Sequence, residues 1–176
     1  AGNAGGNAVR LAANLGAGVT VFDPNPLKLE RMHELAPNIT ALYPAQDELD
    51  RAVREADLLI GAVLLPGARA PVLVTREQVA GMQQGSVIVD IAVDQGGCIE
   101  TILPTTYDDP VYVEQGVLHF GVTNMPGAVP RTASAALSAA LLPYAQRLAR
   151  EGWQDDPVLA GSVNVREGKV VLPALL

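Results

Sequence analysis

The chain has 176 residues, 49% hydrophobic and only 4% aromatic, with a formal net charge of −7. This is one domain's worth of Ala/Val/Leu-rich core, usual for α/β folds, and its acidic balance gives a nucleic-acid partner no electrostatic support. No apolar run reaches the length of a membrane span, and a single cysteine with two histidines rules out a disulfide framework, argues against a zinc or other metal site and fits a reducing, cytoplasmic compartment.

In chain order, Ala1-Gly2-Asn3-Ala4-Gly5-Gly6 opens into a helix over about residues 4–15, with Ala8, Leu11, Ala12 and Leu15 on one face and Gly16 as its stop. Val19 to Phe22 is a β-branched strand ending on Asp23. A helix opens at Pro26 and runs to about Leu35, with proline in its first turn. Ile39 to Leu42 is a weak strand, and Asp47 to Ala56 a charged amphipathic helix. Leu58 to Ile60 reads as a buried strand, Arg76 to Met82 as a short helix, and Val87 to Val89 as a second buried strand. A long loop spans Asp90 to Pro110, and Val117 to Val122 is a strand. Thr132 to Arg150 is a long helix with Leu137, Leu141, Tyr144 and Leu148 as a stripe and Pro143 as an expected kink. A hairpin with its turn at Glu167-Gly168 joins Val163–Val165 to Val170–Leu172.

Strands alternating with helices predict a Rossmann-type doubly wound parallel sheet. The dinucleotide fingerprint of that fold reads G-x-G-x-x-G after a strand, then an acid roughly 20 residues on. Here Gly2 and Gly5 supply the last G-x-x-G and Asp23 the acid. The expectation is therefore a sheet lacking its first strand, whose first glycine lies upstream of Ala1, in a chain marginally stable and inactive by itself. The domain boundary is placed at residue 130: a truncated NAD-binding domain over 1–130, and over 131–176 a helix and tail returning toward an absent substrate domain.

Gly2, Ala4 and Gly5 sit where backbone N–H groups and a helix dipole can hold a pyrophosphate. The plain alternative is a glycine turn before a helix. Asp23 could accept bonds from ribose hydroxyls and would repel a 2′-phosphate, favouring NAD over NADP; it could also be a turn aspartate before Pro24. Lys28 could reach the same ribose or be solvated. Val63 and Leu64 leave a strand's C-terminal end, where ligands sit in such sheets, or are simply core. Asp90-Ile91-Ala92-Val93-Asp94-Gln95-Gly96-Gly97-Cys98 leaves another strand end. Asp90 reads as structural, and Asp94 lies farther out, nearer a cofactor. Cys98 reads as a small buried residue, His33 as solvated and His119 as a satisfied core histidine.

That nine-residue segment, together with Pro104-Thr105-Thr106-Tyr107-Asp108, Asn124-Met125-Pro126-Gly127-Ala128-Val129-Pro130-Arg131-Thr132 and Gly61-Ala62-Val63-Leu64-Leu65-Pro66-Gly67-Ala68, resembles the L-alanine dehydrogenases over essentially the whole chain. The resemblance implies NAD-dependent, reversible oxidative deamination of L-alanine to pyruvate and ammonia. It implies a catalytic role for Asp94 at the nicotinamide ribose, the adenosine-ribose acid at Asp23, a cofactor contact at Lys28, and cofactor-lining residues at Val63, Leu64, Ile91, Asn124 and Met125. It also implies that the catalytic His and Lys and a substrate-binding Arg lie in an N-terminal half not contained here, and that the whole protein is a homo-oligomer, a hexamer in many members. Two positions depart from the family pattern: Leu103 stands where some members carry an Arg, and a serine near a tight turn is replaced around Pro44-Ala45. The alternatives are a transhydrogenase α subunit, an opine- or lysine-pathway reductase, and a non-catalytic dinucleotide-binding module.

Overall fold

The computed structural model describes residues 1–172 and residue 175. Helix α1 (Asn3–Asn14) is followed by β1 (Val19–Phe22), α2 (Pro26–His33), β2 (Ile39–Leu42), α3 (Gln46–Glu55) and β3 (Leu58–Gly61). Then come α4 (Arg76–Ala80), β4 (Val87–Asp90), β5 (Val111–Glu114), β6 (Val117–Phe120), α5 (Pro130–Leu148) and α6 (Pro157–Gly161), and last the short pair β7 (Val165–Arg166) and β8 (Lys169–Val170). The local signals act as physics requires. Asn25 caps α2 by accepting from the Leu27 N–H at 3.0 Å, ahead of Pro26. Thr75 and Gln78 close a capping box on α4.

Two compact units make up the chain, one over residues 1–65 and 69–123, the other over 66–68 and 124–176. In the first, β1 and β2 pair in parallel, and a separate sheet has the order β3-β4-β6-β5. No described strand joins the two sheets, so β1 and β3 are each paired on one side only. Its buried side chains form two clusters to match. Val9, Ala13, Val21 and Ile39 pack between α1 and the β1–β2 pair. Val53, Val79, Ile88, Val93, Cys98 and Val117 belong to the larger core around β4.

Four sequence expectations are corrected here. The sheet is not wholly parallel: β5 runs antiparallel to β6, with Gln115 (φ 54°) and Gly116 (φ 78°) as a two-residue turn. The signal was present, because Val111-Tyr112-Val113-Glu114 is a β-branched and aromatic run before a turn pair. The inward face of α1 is Gly6, Val9 and Ala13, whereas Leu11 and Leu15 are 63% and 79% exposed. Small residues let this helix lie close to its sheet, so the bulky leucines sit on the opposite side. Leu58 and Ile60 of β3 are exposed rather than buried, since β3 is an edge strand. In the second unit, the stripe Leu137, Leu141, Tyr144 and Leu148 of α5 is likewise exposed, and the helix buries none of its residues. Pro143 lies within its continuous span, and an Arg147–Asp156 ion pair ties its end to the cap of α6. The tail hairpin turns at Glu167-Gly168 as expected, with strands shorter than the sequence suggests.

His119 on β6 is fully buried and fully satisfied. Its Nδ1 lies 2.9 Å from the Val117 carbonyl, which can only accept, so Nδ1 carries the proton and Nε2 accepts from the Thr101 hydroxyl at 2.8 Å. Tyr112 stacks on the ring at 5.0 Å between centroids, and its hydroxyl donates to the Thr101 carbonyl at 2.7 Å. Burial pushes the His119 pKa below its ordinary 6.5, only partly opposed by the Val117 bond. The neutral ring's contribution to stability is therefore complete above about pH 6.5 and shrinks as pH falls below that value. There the unfolded chain takes up a proton that the folded chain refuses, until the pH passes the folded pKa. The denaturation midpoint should accordingly fall between pH 7.5 and 5.5, and His119→Asn should flatten that slope. An unchanged slope in the variant would assign the pH dependence elsewhere.

Candidate dinucleotide site

Gly2 is the N-cap of α1, and no side chain caps that terminus. The first N–H groups of the helix, including those of Ala4 and Gly5, thus point out of its end with the positive pole of the dipole. A Cβ on Gly2 would meet nothing within 4 Å, leaving room against the backbone. Gly5 serves differently: a Cβ there would lie 3.2 Å from the Ala62 Cβ, a tight contact, so this glycine eases the close approach of α1 to the segment leaving β3.

Asp23 stands at the end of β1, only 8% exposed. Its Oδ1 accepts from the Asn25 N–H at 2.9 Å, and its Oδ2 lies 3.5 Å from Lys28 Nζ. Burial pushes its pKa up, while the Asn25 bond and the positive charge of Lys28 pull it down. Asp23 thus makes a local turn bond, one of the two readings its sequence position offered. Close to it, beyond Lys28, a cleft of about 300 Å³ is lined by Gly2, Asn3, Asn7, Arg10, Lys28 and Arg31 among others. Three cations around one opening, in a chain of net charge −7, concentrate positive potential where an anion would enter. Sequence reasoning missed Asn3, Arg10 and Arg31. The available signal was the spacing of Asn3, Asn7 and Arg10, which places them on one face of α1.

The second part of the site leaves β3 and β4. These strands are parallel neighbours with Gly61 opposite Asp90, so the segments after them emerge side by side. Val63 is partly buried against the core, and Leu64 is 63% exposed. Ile91 donates its N–H to the Gly61 carbonyl at 2.7 Å, fastening the two segments together. Asp94 is exposed in a 3₁₀ turn over Val93–Gln95. Gly96 (φ 92°) and Gly97 (φ 74°) follow it in left-handed conformations that suit glycine.

Asp90 is fully buried. Its Oδ1 accepts from the Ala92 N–H at 2.8 Å, and its Oδ2 from those of Cys98 at 2.7 Å and Ile99 at 3.2 Å. Cys98 Sγ sits 3.6 Å from Oδ1. Burial, reinforced by the Asp90 charge, pushes the Cys98 thiol up to about 12, which keeps it protonated and unreactive. Within its own compact unit, Asn124 has φ 50° and leads a 3₁₀ turn over Met125–Ala128; its carbonyl accepts from the Gly127 N–H at 2.7 Å, and Met125 is half-buried. Among the described residues no cluster of His, Cys, Asp and Glu is arranged to hold a metal, and no helix is long and apolar enough to cross a membrane.

The family model for the alanine dehydrogenase/PNT C-terminal domain matches residues 1–173. An alanine dehydrogenase of Halomonas elongata is 48% identical over 97% of this chain and 47% of its own length. A solved L-alanine dehydrogenase superposes with a TM-score of 0.84 at 48% identity, covering 99% of this chain and 49% of that one. A transhydrogenase from Sinorhizobium meliloti gives a TM-score of 0.77 at 31% identity, covering 99% of this chain and 48% of that one. The chain thus spans about half the length of the curated relatives it matches. With its Rossmann-type architecture and family match over nearly its whole length, the chain belongs to the alanine dehydrogenase/PNT C-terminal domain family.

Proposed function

We propose that this chain is the NAD-binding half of an enzyme catalysing the reversible oxidative deamination of L-alanine to pyruvate and ammonium. The observation that carries the cofactor reading is the uncapped start of α1, opening beside the buried Asp23 carboxylate in a cleft lined by Arg10, Lys28 and Arg31. That donor set fits a dinucleotide: backbone N–H groups and cations suit a diphosphate, and a carboxylate suits ribose hydroxyls. Gly2, Ala4 and Gly5 would hold the pyrophosphate, Asp23 and Lys28 the adenosine ribose, and Val63, Leu64 and Ile91 would line the remainder; Asn124 and Met125, in the other compact unit, are cofactor contacts by the family resemblance alone. Bound NAD supplies the hydride acceptor. Asp94 orients the nicotinamide ribose and biases proton transfer at the substrate amine or its carbinolamine.

The substrate-binding half lies in the part of the protein outside this chain, and residues 131–176 pack with it. The whole protein is a cytoplasmic homo-oligomer, hexameric as in many members of the family. The 48% identity to alanine dehydrogenases, against 31% to the transhydrogenase, favours this reading over a transhydrogenase subunit.

The experiment is steady-state kinetics of the full-length protein with L-alanine and either cofactor. NAD should be preferred over NADP by at least about tenfold, because Asp23 faces a 2′-phosphate as like charge against like charge. Asp23→Ala combined with Leu27→Arg, which places a guanidinium on the exposed first turn of α2, should move the preference toward NADP. Equal or better turnover of the unaltered protein with NADP would remove the role given to Asp23. No alanine-dependent reduction of either cofactor would remove the proposed reaction.

A further inference from the structure

We propose that Asp90 is a positioning residue for Asp94, acting through the backbone of the loop between them; this rests on the catalytic role proposed for Asp94. One buried carboxylate grips both ends of that loop. Its Oδ1 takes the Ala92 N–H near the start, and its Oδ2 takes the Cys98 and Ile99 N–H groups at the finish. The intervening residues are closed further by Gln95 N–H to the Ala92 carbonyl at 2.9 Å and Gly97 N–H to the same carbonyl at 3.0 Å. Asp94 rides on the exposed crown of this ring.

The chemistry requires an acceptor-only group at position 90. Three N–H donors converge on two oxygens, a pattern an aspartate satisfies and an asparagine would break by turning an NH₂ toward a donor. The neighbouring strand is shaped around the same carboxylate. A Cβ on Gly61 would lie 2.9 Å from Asp90 Oδ1 and 2.6 Å from Cys98 Sγ, so only glycine leaves the carboxylate in place. The burial of Asp90, its three-donor grip and the missing Cβ opposite it thus converge on the placement of one exposed aspartate.

The test is a double-substitution cycle in the full-length protein, with kcat, the KM for NAD and the melting curve measured for each variant. Asp90→Asn should lower kcat by about tenfold to a hundredfold, the scale of a misplaced catalytic group. The KM for NAD should change by a smaller factor than kcat, because the nicotinamide-ribose contact shifts with the loop while the Gly2 and Asp23 end of the site is untouched. In the Asp94→Asn background the same substitution should cost less than about threefold, since a positioning residue has nothing left to position. Equal losses in both backgrounds would overturn the proposal, as would a folded Asp90→Asn variant with wild-type kcat. Near wild-type turnover in Asp94→Asn alone would instead strike down the catalytic reading on which this one stands. If Asp90→Asn does not fold, Gly61→Ala, which displaces the carboxylate without removing it, takes its place in the cycle with the same expectations. Failure of both variants to fold would also overturn the proposal, because the loop would then be inseparable from the core.

Discussion

Asp94→Asn in the full-length protein should lower kcat/KM for L-alanine oxidation by about 10²–10⁴, the usual cost of losing a positioned acid–base group. The melting temperature should hardly move. Asp94 is exposed on a 3₁₀ turn, so an amide of nearly the same shape disturbs no packing. The conformation of that turn is held elsewhere, by the Asp90 carboxylate and by the left-handed glycines that follow. A substitution at such a position separates chemistry from folding. A loss confined to KM would mean that Asp94 contributes equally to ground-state and transition-state binding. Near wild-type turnover, or a loss matched by a loss of folded protein, would make it a turn residue.

Gly97→Ala should have the opposite signature, a large loss of stability from a single methyl group. The residue is buried with φ at 74°, a conformation that costs an alanine about 1–2 kcal/mol. The added Cβ would also overlap Ile102 Cγ2 and come within 3.1 Å of Asp90 Oδ2. Overpacking of that kind adds about 1–3 kcal/mol, for a total of about 2–5 kcal/mol. Gly85→Ala separates the two contributions. Gly85 has φ at 86°, but a Cβ there meets nothing within 4 Å, so that variant should show the backbone cost alone. Denaturant midpoints of both variants against the unaltered protein give the comparison. Equal losses at the two positions would mean that Ile102 and Asp90 yield freely to the added methyl.

Most of the order of elements, the aspartates at and after strand ends and the family itself were legible in the sequence; β5 and α6 were not read from it. The reasons are local. A strand is a short β-branched run, α2 and α4 carry their caps in their own first residues, and the loop after β4 is marked by Asp94 and two glycines within a few positions. The antiparallel β5 was legible in principle from its alternation and the Gln115-Gly116 turn. What the tertiary structure decided depends on residues far apart in the chain. It turned Gly6, Val9 and Ala13 of α1 inward rather than the more hydrophobic Leu11 and Leu15, because close approach to a sheet rewards small side chains over large ones. It drew Arg10 and Arg31 to the cleft beside Asp23, a meeting of two helices that neither helix's own sequence announces. It also supplied the groups behind the different settings of Asp90 and Asp94, which their places directly after the strand and farther out in the loop had already set apart in the sequence. The first is buried under three converging N–H donors and the second stands exposed, and which aspartate receives those donors follows from how Cys98 and Ile99 fold back on β4. Periodicity and composition report which groups a segment offers; a carboxylate's role is set by the donors and solvent around it, and those come from the rest of the fold.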